Sequence, residues 1–321
     1  MKKKITAAIF AVLMICTCLV SCGGNTAKTD DGKLKIVTTV FPVYDWIRNI
    51  APEGEKASVR MLLDTGVDLH SFQPTADDIM DINTCDVFVY VGGESDKWVD
   101  DVLKNNVNPD LIVVDLMDAL GDAKREEEVV EAMEEHEEEE EEEAYDEHIW
   151  LSLKNASLCC KAITEALCKA DAANAETYKT NSENYVASLD ALDAKYAEAT
   201  DGAKNKTLVF GDRFPFLYMM KDYGIEYFAA FSGCSAESEA SFETITFLAG
   251  KVDELGLDCV MALESGDHSV AEQVAKTTAS KEKEVLLLDS MQSVTGDDVK
   301  AGCSYLDVME KNLEVLKKAI G

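Results

Sequence analysis

Two of the four histidines in this chain stand in short loop contexts whose residue types could hold a metal ion. His70 lies in the run GVDLHSFQP (66–74), and His148 lies in the run DEHIW (146–150). A neutral imidazole is the commonest nitrogen ligand of zinc and related divalent ions. A single histidine in a loop can equally be a surface or capping residue. Together with the carboxylates of the chain, the pair indicates a candidate site for a divalent cation.

Strands and helices alternate in two separate series, a pattern that predicts an α/β protein. The predicted strands are 35–39, 57–62, 87–91 and 111–114, then 207–210, 226–229, 259–263 and 285–289. The predicted helices are 43–50, 75–83 and 97–104, then 214–223, 242–255, 270–278 and 305–320. A strand followed by a crossover helix implies a parallel sheet with both faces covered. We expect two lobes, each with a mostly parallel four-stranded sheet flanked by helices.

One long helix is predicted between the two series. Residues 174–199 contain neither glycine nor proline, and at 1.5 Å per residue they would span about 40 Å. Five large side chains follow helical spacing there: Tyr178, Tyr185, Leu189, Leu192 and Tyr196. We expect a rigid linking helix at 171–202, between an N-terminal lobe at 33–170 and a C-terminal lobe at 203–321. Ligands of α/β sheets collect at the carboxyl ends of strands, so the site should lie in the cleft between the lobes.

The first 21 residues predict export from the cytoplasm. Three lysines precede an apolar run at 5–20, and the sequence LVSC ends at Cys22. This arrangement resembles a bacterial lipoprotein signal, which would be cleaved before Cys22 and would leave a lipid on its sulfur. Residues 22–32 would then form a flexible tether. The alternative is an ordinary secretion signal with an incidental cysteine.

The charge of the chain favours cations as partners. The formal net charge is −32, and removal of residues 1–21, with three lysines and no acidic residue, makes it −35. A nucleic-acid partner is not expected, because phosphates are bound by basic patches. The remaining 300 or so residues suffice for two globular cores.

An acidic segment at 122–147 is predicted to be a mobile loop. From Glu126 to Glu147 it holds fourteen glutamates, one aspartate and His136, a composition too charged to pack. It could serve only to solubilise the protein. Because it ends next to His148, it could also collect cations weakly beside the site.

Seven cysteines remain outside the first 22 residues, and none has the CxxC spacing of a zinc or redox site. Most are expected to be small buried residues. Cys234 and Cys303, each in a Gly-Cys-Ser context, could pair in an oxidising compartment. The sequence leaves this pairing open.

Several ordered motifs resemble one known family along nearly all of the exported chain. The matching runs are KIVTTVFP (35–42), GVDLHSFQP (66–74), DDI (77–79), WV (98–99), HIWLS (148–152), KNA (154–156) and NL (312–313). They are similar to the zinc and manganese solute-binding lipoproteins of bacterial ABC importers. The resemblance implies two α/β lobes joined by a long helix and one metal held in the cleft between them. It also implies an ABC permease as a membrane partner, a monomeric receptor and an extracytoplasmic location on the outer face of the cytoplasmic membrane.

The family's metal ligands carry over to this chain with one exception. The first two fall on His70 and His148, and the fourth falls on Asp289 in LLDS (287–290). The third, a histidine or glutamate in a motif such as FHDAF, falls on Gly211 of FGDRF (210–214), which has no side chain. Glu264, at the end of a neighbouring strand, could be an extra carboxylate or a partner of a ligand.

The residues after Gly211 lead to two readings of the site. In the first, a metal is held: Asp212 could take the missing place and give two histidines and two aspartates, a set acceptable to zinc and to manganese, or else water completes a site of His70, His148 and Asp289. Arg213 could instead point into the cleft, pair with Asp289 or Glu264 and favour an anion or an organic ligand. His268 is a further candidate ligand, although its position indicates a helix cap.

The sequence therefore predicts a receptor that captures a divalent metal, zinc ahead of manganese, and passes it to a permease without chemical change. A lipid-anchored zinc hydrolase is the alternative of a different class. The chain contains no HExxH, GxSxG or GxxxxGK[ST] motif to support an enzyme, and Glu264 is its one nameable general base.

Overall fold

The computed structural model describes residues 32–52, 54, 56–131, 133, 145–235, 239–281 and 283–321. The predicted signal peptide, Cys22, and residues 132 and 134–144 of the acidic segment, which include His136, lie outside the described residues. Within the described part of the chain, no helix is both long and apolar enough to cross a membrane.

Two four-stranded sheets, each entirely parallel, form the centres of two lobes. In the N-terminal lobe the strands are β1 (Leu34–Thr38), β2 (Ala57–Met61), β3 (Val87–Tyr90) and β4 (Ile112–Asp115), in the spatial order β2-β1-β3-β4. In the C-terminal lobe they are β5 (Thr207–Phe214), β6 (Glu226–Ser232), β7 (Cys259–Leu263) and β8 (Glu284–Leu288), in the order β6-β5-β7-β8. The predicted fold class is confirmed.

Helices connect consecutive strands and cover both sheets. In the N-terminal lobe they are α1 (Phe41–Ile50), α2 (Ala76–Thr84), α3 (Trp98–Lys104), α4 (Leu116–Leu120) and α5 (Leu153–Ala170). After the linking helix α6 (Ala175–Asp201), the C-terminal lobe has α7 (Leu217–Tyr223), α8 (Phe242–Glu254), α9 (Ser269–Thr277), α10 (Gly296–Lys300) and α11 (Tyr305–Ile320). Local capping fixes where several begin. Thr75 and Asp78, for example, form a reciprocal capping box at the start of α2.

The linking helix α6 is 27 residues long and packs on both lobes. All five of the large side chains predicted to form its stripe are buried. Asn181 donates to the Ile50 carbonyl oxygen of the N-terminal lobe at 3.0 Å, and Tyr196 donates to the Met309 carbonyl oxygen of the C-terminal lobe at 2.6 Å. The helix is thereby hydrogen-bonded to both lobes.

The lobes also contact each other directly beside His148. The indole N–H of Trp150 donates to the Ser290 carbonyl oxygen at 2.9 Å, and the Tyr305 hydroxyl donates to the Trp150 carbonyl oxygen at 2.6 Å. Trp150 and Tyr305 are almost fully buried. Buried hydrogen bonds of this kind hold the loop after His148 at a defined position between the lobes.

Candidate metal site between the lobes

His70 is presented by a short 3-10 turn, Leu69–Ser71, that follows β2. Asp68 caps this turn, because its Oδ1 accepts the backbone N–H of His70 at 3.0 Å. On the side chain, Nδ1 of His70 lies 2.7 Å from the Ser95 hydroxyl. The capped backbone and the Ser95 contact fix the ring with Nε2 directed away from this loop.

His148 stands immediately before a 3-10 turn, Ile149–Leu151, that leads into α5, and it is fully buried. Oδ1 of Asp146 accepts its backbone N–H at 2.8 Å and lies 3.1 Å from its Nδ1. Tyr218 of the C-terminal lobe donates to the Asp146 carbonyl oxygen at 3.0 Å. A carboxylate on Nδ1 orients the imidazole so that Nε2 is the atom left to bind a metal.

The two imidazoles face each other through these Nε2 atoms, which are 3.3 Å apart. Their ring centroids are 5.2 Å apart in an edge arrangement. Two ligands of one zinc ion, each about 2.0–2.1 Å from the metal, stand at about this separation. The structure therefore brings together the two histidines that the sequence singled out.

The two histidines differ in how readily they hold a proton. Burial, and next the charge of His148, lower the pKa of His70 to about 4. Burial alone would also lower the pKa of His148, but the surrounding carboxylates, first Asp146 and then Glu147 and Glu127, together outweigh burial and raise it. At neutral pH His70 is consequently a free base suited to a metal, whereas the raised pKa of His148 means that a proton competes with a metal there up to a higher pH.

A cavity of about 740 Å³ opens between the lobes beside His70. Its size falls within the usual range of ligand sites. Residues that bear on the prediction line it: Asp68, His70, Gly211, Asp212, Arg213, Cys234 and His268. The cavity places His70 at the cleft between the lobes, where the sequence predicts the site.

Gly211 lies inside β5, at an irregularity in the pairing of that strand with β6. A Cβ atom at this position would stand 2.4 Å from Cα and 2.8 Å from N of Ala271 in α9. The strand and the helix approach so closely that position 211 has no room for a side chain. The place of the family's third ligand is filled by the backbone of α9.

Asp212 and Arg213 both line the cavity, and both side chains have partners there. The Asp212 carboxylate accepts the backbone N–H groups of Arg213 at 2.8 Å and of Leu263 at 3.1 Å. The Arg213 guanidinium pairs with Asp68 across the cleft at 2.9 Å, whereas Asp289 and Glu264 were its expected partners. Asp68 thus links Arg213 to the turn that carries His70.

Asp289 lines a different cavity, together with Ser293, Asp298 and Cys303. Burial, and next the charge of Glu264, raise the pKa of Asp289 to about 6. Glu264 accepts the Ser290 N–H at 2.8 Å and the Ser293 hydroxyl at 3.0 Å, so it fastens the loop that begins at Asp289. The roles of Asp212 and Asp289 as metal ligands stay predictions.

Two residues that the sequence did not single out as ligands lie beside His70. Glu147 and Cys234 form a group with it in which one potential ligand atom of each residue lies within 4.8 Å of the others. Cys234 and Cys303 are free thiols, so the disulfide that the sequence left open is not formed. His268 begins α9 in a left-handed conformation, with φ of 57°, and makes no side-chain capping bond.

Asp96, buried behind the His70 loop, makes the stability of the metal-free protein depend on pH. Burial raises the pKa of Asp96 to about 7, and the charge of Glu147 adds to this rise. Hydrogen bonds from the N–H groups of Val91 and Gly92 to its Oδ2 offset only part of it. The folded protein binds this proton more tightly than the unfolded chain. Its contribution to the unfolding free energy is therefore present below about pH 4 and is lost as the pH rises to about 7.

We expect Asp96→Asn to remove this dependence, because the amide stays neutral at every pH. The measurement is urea unfolding with a chelator present. The free energy of unfolding of the variant minus that of the unmodified chain should be larger at pH 8 than at pH 5. The same stability difference at both pH values would show that Asp96 is ionised throughout.

Several solved structures that superpose on this chain are described as zinc-bound, zinc-binding or metal-dependent proteins. The zinc-bound ZnuA-like domain of AdcA from Streptococcus pneumoniae superposes with a TM-score of 0.71 at 29% identity, covering 90% of this chain and 99% of that domain. The metal-dependent lipoprotein YcdH from Bacillus subtilis gives 0.72 at 27% identity, covering 90% and 99%. The periplasmic zinc-binding protein TroA from Treponema pallidum, at 23% identity and a TM-score of 0.72, shares the fold.

A family model described as ZnuA, zinc-uptake complex component A, periplasmic, matches residues 36–319. The chain belongs to this family, and the resemblance read from its motifs is confirmed. The high-affinity zinc uptake system protein ZnuA of Bacillus subtilis is 30% identical over 314 residues, 96% of each chain. The zinc-binding protein AdcA of Streptococcus pyogenes serotype M3 is 32% identical over 295 residues, 89% of this chain. This chain spans 56%, about half, of that AdcA.

Proposed function

We propose that this protein captures a zinc ion in the cleft between its lobes and delivers it to an ABC permease without chemical change. The observation that carries the proposal is the pair of Nε2 atoms of His70 and His148, which face each other at 3.3 Å. Each ring is oriented by a hydrogen-bonding partner on its other nitrogen, Ser95 for one and Asp146 for the other. Such partners are typical of histidines that bind metals.

Zinc is proposed ahead of manganese because zinc accepts imidazole ligands readily, whereas manganese favours oxygen ligands. Zinc is also named for relatives that match this chain, ZnuA of Bacillus subtilis and AdcA of Streptococcus pyogenes. Arg213, which could have favoured an anionic ligand, is paired with Asp68 at 2.9 Å. An anion at this place would have to compete with that carboxylate.

The proposal includes a place for the protein in the cell. Export by residues 1–21 and a lipid on Cys22 would hold the two lobes, 33–170 and 203–321, as a monomer on the outer face of the cytoplasmic membrane. The net charge of −32 supports a cation as cargo rather than a nucleic acid. A relative from Streptococcus pneumoniae serotype 4, 33% identical over 304 residues, is called a zinc-binding lipoprotein.

Elemental analysis of the exported chain, purified without added metal, tests the proposal. One zinc ion per chain is expected, and calorimetry after chelation should recover a single tight site for zinc. A chelated protein that binds neither zinc nor manganese would overturn the proposal.

Zinc affinity is expected to rise with pH through the neutral range. The raised pKa of His148 means that zinc must displace a proton below that pKa, at about a tenfold cost in affinity per pH unit. His70, with its pKa lowered to about 4, causes no such loss near neutrality. Calorimetry from pH 6 to 8 measures the slope, and Asp146→Asn should make it shallower, because the part of the loss due to His148 moves to lower pH. An affinity independent of pH over this range would contradict the expectation.

A further inference from the structure

The C-terminal lobe must supply a ligand if one ion is to hold both lobes together. The family's third ligand falls on Gly211, which has no side chain, and the carboxylate of Asp212 is already bound by two backbone N–H groups. Cys234 lies two residues after the end of β6, the strand next to β5 in the sheet. The carboxyl ends of parallel strands meet at one edge, so Cys234 reaches the same side of the cleft as Gly211.

The loop that carries Cys234 packs directly against His148. A Cβ atom added to the preceding residue, Gly233, would stand 3.0 Å from Cε1 of the His148 ring and 3.0 Å from the Phe214 carbonyl oxygen. The absence of a side chain at Gly233 therefore allows the backbone of the C-terminal lobe to touch an imidazole of the N-terminal lobe. Cys234, the next residue, lies beside His70, with which it forms a group of potential ligands.

The potential ligand atoms of Cys234, His70 and Glu147 lie within 4.8 Å of one another. Ligands of one tetrahedral zinc ion, at about 2.0–2.3 Å from the metal, are separated by about 3.5 Å, so side-chain rotations of about an ångström would suffice. All three side chains could therefore reach one ion after such rotations, and His70 is the residue that this group shares with the facing histidine pair.

Glu147 gives an independent indication that a ligand belongs here. The residue is 1% exposed, and its Oε1 accepts the Ser95 N–H at 2.7 Å. Among the described residues no group hydrogen-bonds to its Oε2, which lies 3.7 Å from Nδ1 of His70. A buried carboxylate oxygen without a partner is costly, and a bound cation would remove that cost.

We propose that Cys234 is the metal ligand of the C-terminal lobe and that its thiolate sets the preference of the site for zinc and softer ions over manganese. This inference rests on the proposed function, since it names the completing ligand of the same site. On binding, the Cys234 sulfur forms a bond to the metal and its thiol proton leaves to solvent. Thiolate ligands favour zinc, whereas manganese favours oxygen ligands. A site with the Cys234 sulfur should therefore select zinc over manganese more strongly than a site with histidines alone.

The experiment compares Cys234→Ser with Cys303→Ser, using the exported chain loaded with cobalt(II) and with zinc. Cys303 is a matched control, because it also stands in a Gly-Cys-Ser run but lines a different cavity. The unmodified chain and Cys303→Ser should show the near-ultraviolet charge-transfer absorption of a thiolate–cobalt bond. Cys234→Ser should lack it, bind zinc at least about tenfold more weakly and lose part of its discrimination against manganese.

Tight cobalt and zinc binding by the unmodified chain without that absorption would overturn the assignment, even if Cys234→Ser failed to fold. Unchanged absorption and affinity in folded Cys234→Ser would do the same. These outcomes differ from failure of the proposed function, in which the unmodified chain binds no zinc or loses none of its affinity in His148→Ala.

Discussion

His148→Ala is expected to abolish tight zinc binding by the exported chain. His148 is fully buried, its Nε2 lies 3.3 Å from that of His70, and Asp146 holds the ring in this orientation. Removal of the imidazole takes away a ligand and leaves the Asp146 carboxylate buried without this partner. Loss of an outer partner of a metal ligand costs about 10–100-fold in affinity, so loss of the ligand itself should cost more.

Competition between the protein and a chelator of known zinc affinity measures this loss, and His70→Ala should behave in the same direction. His268→Ala is the matched control: His268 lines the same cavity, yet it lies at the start of α9 and outside the group around His70. Its zinc affinity should stay near that of the unmodified chain. Equal affinities in all three variants would remove the histidine pair from the site.

The parts of the site that sequence reasoning located are those fixed by local sequence. The turns around His70 and His148 are capped by Asp68 and Asp146, each two residues before its histidine. Bonds between residues two positions apart depend on the local sequence, because aspartate side chains readily accept a backbone N–H two residues on. The strand-helix alternation likewise predicted all eight strands, because the apolar and β-branched runs that fill two parallel sheets are continuous in the sequence.

The parts of the site that the sequence did not predict depend on contacts between residues that are distant in the chain. Arg213 meets Asp68 across 145 positions of the chain, and no local pattern distinguishes that carboxylate from the other acidic residues. Glu147 is one of fourteen glutamates in an acidic run. Cys234 shares its Gly-Cys-Ser context with Cys303, and only the fold places one of them beside His70.

Strand β5 is longer than the sequence predicted, because it pairs with the neighbouring strand β6 beyond its apolar run. The apolar run predicted that β5 would end at Phe210, but the strand continues to Phe214 because it pairs with β6 beyond an irregularity. Gly211 and Arg213 consequently belong to the sheet and not to a loop after it. This difference decides what position 211 can hold, because a residue within the sheet is covered by the helix that packs on it.

Gly211→His, which would restore the family's third ligand, is expected to destabilise the protein instead. Its Cβ would stand 2.4 Å from Cα and 3.0 Å from Cβ of Ala271, a fully buried residue of α9. Overpacking of a core costs about 1–3 kcal/mol and occasionally more, and a clash with backbone atoms should reach about 3 kcal/mol or above.

Gly250→Ala is the control, because Gly250 is an exposed residue within α8 with open space around it, and the substitution should stabilise the protein by up to about 1 kcal/mol. Urea unfolding with a chelator present measures both changes. If Gly211→His proved as stable as the unmodified chain and bound zinc more tightly, α9 would have to move away from β5 easily, and position 211 would be a vacant ligand position rather than a packing contact.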